Sequence, residues 1–137
     1  MDVVFLIARI LFVVIFLVSA LGHLGKSDAM TQYSAYKGAP GGKFGVIVSG
    51  LLLLVGSLSV VLGVWGDLGA LILAVSLLPI SLFIHAFWKE TDGQAKMTEQ
   101  VAFNKNISLL GGALAFFLLF ATQTAGLSIT GPLFNLG

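Results

Sequence analysis

Four apolar runs, residues 3–24, 44–65, 68–88 and 107–124, take up most of a chain of 137 residues. Each approaches the roughly 20 residues that a helix needs to cross the hydrocarbon core of a bilayer, where every backbone N–H and C=O must be satisfied within the segment. The expected fold is therefore all-α: a four-transmembrane-helix bundle forming one integral membrane domain over residues 1–137. Composition agrees, with 58% hydrophobic and 9% charged residues, against about 45–50% and about 25% in soluble domains. The lipid bilayer is thus expected to be this chain's solvent.

The first run contains a small-residue site, Val18-Ser19-Ala20, of the kind that ends a secretory leader. Asp2 stands where a leader is basic, and the apolar run is too long for a leader's core, so the segment reads as an anchor helix. The chain has no cysteine, which removes disulfides, thiolate metal sites and thiol redox catalysis; electron chemistry would need a bound cofactor or a partner. A net charge of +1 lacks the dense basic stripe of a nucleic-acid binder, and no nucleic acid is expected.

Gly66-Asp67 is short enough to read as a tight helical hairpin, whereas loops 25–43 and 89–106 are longer and polar. Four spans place those two loops on one side and both termini on the other. The loops carry Lys26, Lys37, Lys43, Lys89, Lys96 and Lys105, and the other side has only the terminal amine and nearby Arg9. The positive-inside rule puts the loops in the cytoplasm and both termini outside, in a bacterial-type plasma membrane. The halves also suggest two tandem helical hairpins, since each has a span ending in histidine and then lysine (His23 and Lys26; His85 and Lys89).

Helices pack closely in lipid through small residues. The second span offers Gly45, Ser49, Leu52, Gly56, Ser59, Gly63 and Gly66 at alternating spacings of four and three; the fourth offers Gly111, Ala115, Leu118, Thr122 and Ala125. Both stripes read as internal contacts of the bundle. Pro79 cannot donate a backbone hydrogen bond and crowds the carbonyl of Val75, which predicts a kink. In the first loop, Asp28 is placed to cap a short helix that reaches Lys37 and stops at Gly38, lying along the membrane surface.

Arg9 lies roughly 9 Å inside its span at 1.5 Å per residue. A charge at that depth either faces the bundle as a functional group or snorkels to its own interface to pair with Asp67; the second reading is favoured. His23 and His85 both end helices on the loop side and could converge there as axial ligands or as a proton relay. Two histidines without a third ligand specify neither a metal nor a haem. The strongest polar constellation is His85, Trp88 and Lys89 at one span's end, facing Asn104, Lys105 and Asn106 at the entrance to the next. Amide and ammonium donors near a helix N-terminus suit an anion or a quinone carbonyl, and the indole offers a stacking face. No phosphate loop, metalloprotease helix, nucleophile elbow or dinucleotide fingerprint is present, so a self-sufficient enzyme is disfavoured.

Residues 103–114, FNKNISLLGGAL, together with 83–88, FIHAFW, are similar to the DoxX family. Arg9, the run 36–40 YKGAP, and Leu62-Gly63 followed by Gly69-Ala70 match further motifs of that family, and the resemblance covers nearly the whole chain. It implies a four-helix membrane fold and an association with redox systems, such as thiosulfate:quinone oxidoreductase subunits. It makes Arg9, His85, Trp88, Asn104, Lys105 and Asn106 the candidates for any shared site. Many relatives have a glutamate in the second span where this chain has Leu53, so an acid-dependent proton step would lack its carboxylate here. The expected function is an accessory or anchor subunit of a quinone-linked membrane redox assembly, with a membrane-protein or peripheral redox partner on the loop side. A structural or assembly protein and a small transporter are the alternative readings.

Overall fold

The computed structural model describes residues 1–122 and 125–137. Five α-helices follow one another: α1 Asp2–Gly25, α2 Ser27–Tyr36, α3 Gly42–Leu62, α4 Gly66–Pro79 and α5 Gly93–Ala121. A π-helical turn, Ile80–Ile84, extends α4, and a single 3-10 turn, Phe87–Lys89, leads toward α5. There is no strand among the described residues. Four stretches are long and apolar enough to cross a membrane: Asp2–Gly25, Gly42–Leu62, Gly66–Lys89 and Gly93–Ala121. The last two positions of the expected fourth span, 123 and 124, lie outside the described residues.

The helices form an up-down-up-down ring, α1 on α3, α3 on α4 and α4 on α5. The ring closes where Phe5 and Phe12 of α1 meet Phe116 of α5, with ring centroids 5.6 and 4.8 Å apart. Val13, Phe16, Leu53, Val60, Leu73 and Phe120 meet in its centre. Most other large apolar side chains point outward, as lipid-facing side chains do.

The turn between α3 and α4 falls at residues 63–65, and Gly66-Asp67 is the first turn of α4 instead of the link. Gly63 takes the left-handed conformation (φ 67°) that lets α3 stop, and Trp65 follows at φ 45°, its N–H donating to the Thr130 hydroxyl at 2.9 Å. Beyond that turn the small residues of α3 do line the α3–α4 contact: a Cβ on Gly56 would press on Leu73, and one on Gly69 would collide with Ser59. Leu52 leaves the stripe and faces outward, because the buried positions run Val46, Gly50, Leu53, Ser57 and Val60.

In α5 the expected stripe is reversed. Gly111, Ala115 and Leu118 are exposed, and the buried face is Glu99, Asn106, Ala113 and Phe120, one residue every two turns. The space between α5 and α1 is filled by phenylalanines, with Gly112 against Phe12, which leaves Gly111 for lipid. The polar segment before residue 107 is also helical, started by Asp92, whose carboxylate accepts the Ala95 N–H at 2.9 Å. Loop 89–106 is therefore mostly the first turns of α5. Asp28 does not cap α2; it lies in the first turn, and its carboxylate holds Lys43 at 2.8 Å across the loop. That ammonium depresses the Asp28 pKa.

Candidate functional site

On the side of α2 and the start of α5, an acid seated on the buried face of α5 gathers donors from two other segments, the end of α2 and the stretch after the π turn. Glu99 accepts from Lys37 Nζ at 2.9 Å and from the Tyr33 hydroxyl at 3.2 Å on one oxygen, and from His85 Nδ1 at 2.7 Å on the other. Lys37 also reaches Glu90 at 2.7 Å. The side chains of Lys37 and Glu99 are only 10% and 12% exposed, so the pair sits in a weakly screening environment where its geometry counts. Burial works against the Lys37 ammonium, but the hydrogen bonds it donates to Glu90 and Glu99 outweigh that and raise its pKa, keeping it charged. Burial, and then the Glu99 charge, raise the Tyr33 phenol.

Beneath this network lies a cavity of about 240 Å³, lined by α1, α2, the π turn and α5, with one residue each from α3 and α4. His23, His85, Lys105 and Asn106 all contribute to its wall, beside apolar Phe16, Leu53 and Leu77. His23 Nδ1 lies 2.9 Å from the Ser19 carbonyl, an acceptor, so the proton is on Nδ1. His85 Nδ1 faces the Glu99 carboxylate in the same way. Each imidazole is left with Nε2 for a ligand. Asn106 is 5% exposed, and among the described residues its amide has no hydrogen-bond partner. Its amide atoms are open to the cavity, where a ligand can pair with them.

The expected constellation is thus divided. His85, Lys105 and Asn106 share the cavity with His23, the other histidine that ends its helix on the loop side. Trp88 does not line it: its indole stacks edge-on with Phe87 and Phe103 and is half exposed. Asn104 is exposed on another face of α5. No helix N-terminus backs these residues, since α5 begins at Gly93. Among the described residues no group of three or more His, Cys, Asp or Glu side chains could hold a metal ion.

Arg9 is fully buried at the opposite end and neither snorkels nor pairs with Asp67. Its guanidinium donates to the Leu127 carbonyl at 2.8 Å and to the Ser128 hydroxyl at 3.3 Å, between the rings of Phe5 and Phe120. Asp67 accepts the backbone N–H groups of Leu133 and Phe134. The C-terminal tail therefore stands between the two charges that sequence reading joined directly.

Sequence reading missed Glu99, Tyr33, Lys37 and Glu90. The available signal was spacing: Glu99 lies seven residues before Asn106 and so shares its face of the helix. Leu53, which occupies the expected glutamate position, does line the cavity, but the carboxylate nearest the histidine comes from α5.

The DoxX family model matches residues 4–86. Inner membrane protein YphA of Escherichia coli (strain K12) is 30% identical over 128 residues, covering 93% of this chain and 89% of that relative. No solved structure matches the chain. With more than half its length matched by the family model and a relative aligned along nearly all of it, this protein belongs to the DoxX family.

Proposed function

We propose that the loop-side cavity binds the ring of a membrane quinone or quinol, and that the protein serves as a non-catalytic, quinone-contacting subunit of a membrane redox assembly. The observation that carries the reading is the unpartnered, 5% exposed Asn106 amide on a cavity wall that also holds two histidines with Nδ1 engaged. The donor set fits both forms of such a ligand. Asn106 and Lys105 supply N–H donors for a quinone carbonyl, and the histidine Nε2 positions face the cavity for a quinol hydroxyl. Glu99 acts as a positioning residue that orients His85. With no cysteine in the chain, electrons would pass to a partner or a cofactor that a partner brings.

Protein purified in mild detergent should carry quinone, detected by extraction and mass spectrometry, together with one or more redox proteins. Asn106→Leu should weaken quinone retention about tenfold, the weight of one buried hydrogen bond. Asn104→Ala, on the exposed face, should leave retention unchanged. Recovery of a lone chain free of both quinone and partner would sink the proposal.

We place the protein in the plasma membrane, as the name of its inner-membrane relative and its four apolar helices support, with the lysine-rich side in the cytoplasm. In this cysteine-free chain, Lys96→Cys should resist an impermeant thiol reagent added to intact cells, and Asn135→Cys should react with it. The reverse labelling pattern would invert the topology.

A further inference from the structure

A second cavity, of about 220 Å³, lies against the first on the α3–α4 side. The two share His23, Ser34, Ile80 and Ile84 as walls, so only side chains separate them. Their chemistry differs. The inner cavity contains the polar groups described above, whereas the outer one runs past Val48, Leu52 and Phe83. Leu52 and Phe83 are 41% and 37% exposed on a face that the spans turn to lipid.

The backbone explains why the bundle opens here. Pro79 has no N–H to return to the carbonyl of Val75, and the helix continues as a wider π turn over Ile80–Ile84, closed by the His85 N–H on the Ile80 carbonyl at 3.3 Å. The isoleucines at both ends of that turn form the shared wall. On the facing helix, Gly45 and Ser49 offer little bulk, so α3 does not fill the gap.

We propose that the α3–α4 groove is the lateral entrance to the inner cavity and the seat of its ligand's hydrocarbon chain. The ligand is a chain-bearing amphiphile that arrives from within the bilayer, its ring inside against Asn106 and its tail lying along Val48, Leu52 and Phe83. This rests on the quinone reading above and adds to it a second subsite and a route. The adjacency of the two spaces across a wall of side chains selects the occupant, because a soluble ring compound would have no use for an apolar extension reached through lipid.

The test compares two quinones of the same ring, one with a methyl group and one with a decyl chain, for binding to the full chain in lipid nanodiscs. A photoreactive form of the longer one, with a diazirine at the chain end, maps where the tail rests. The decyl compound should bind at least about tenfold tighter, and its photoadducts on α3 and on 80–84 should be abolished by excess unlabelled ligand. Ser49→Phe, which fills the groove without touching the inner cavity, should remove the chain's advantage while leaving the methyl compound's affinity unchanged. Equal affinities in wild type, or adducts on another face of the bundle, would overturn the groove and leave the ring site standing. Absence of binding by either compound would overturn both.

Discussion

Arg9→Leu should release the C-terminal tail from the end of the bundle and destabilise the protein by about 2–4 kcal/mol, the loss of two hydrogen bonds from a buried cation. The tail is pinned at several points: Arg9 holds Leu127 and Ser128, the Ile129 and Thr130 N–H groups donate to Leu62 and Gly63, and Asp67 holds Leu133 and Phe134. Hydrogen exchange in nanodiscs at those amides would report the release directly, and a lowered melting temperature would report the energy. Asp67→Asn should produce a similar release from the other end. Because tail backbone separates the two charges, the double variant should be no more stable than either single one. A direct ion pair predicts the opposite, since removing both partners relieves the charge that a single substitution strands. Rescue in the double variant, or unchanged exchange in Arg9→Leu, would contradict this arrangement.

Gly69→Val should prevent assembly of the bundle. A Cβ at position 69 would meet the Ser59 side chain and lie 2.9 Å from the Gly56 carbonyl oxygen, so the obstacle includes backbone that cannot rotate away. Overpacking of this kind costs about 1–3 kcal/mol in cores that can adjust. Here α3 and α4 would have to separate, and in lipid no hydrophobic effect between helices restores the contact. The expected readout is loss of the monodisperse peak in detergent size-exclusion chromatography. Gly111→Val is the matched control: nothing lies within 4 Å of its added Cβ, and its peak should survive. Equal behaviour of the two variants would show that the α3–α4 contact is not what holds the bundle.

His85 and Asn106 were legible as candidates because a polar side chain near the end of an apolar run is unusual enough to see without coordinates. Glu99 was not, because it lies in a polar stretch where one more acid attracts no notice. Only the helical continuation through 93–106 turns it inward with Asn106. Arg9 and Asp67 were read as partners from their shared side of the membrane. The tail that intervenes is a nonhelical segment whose backbone groups have no periodic signature.

Hydropathy and length alone determined that this chain forms four lipid-crossing helices, since hydrocarbon tolerates no other arrangement of an oily segment's backbone. They also placed the loops on one side and the termini on the other. Which face of each helix turns inward was left to tertiary packing, because in lipid both faces are apolar and hydrophobicity no longer distinguishes core from surface. Hence the phenylalanines of α5, with Gly112 against Phe12, meet α1, and Gly111 is left on the outer face. The cavity likewise exists only once α1, α2, the π turn and α5 bring His23, His85 and Asn106 together from distant parts of the chain.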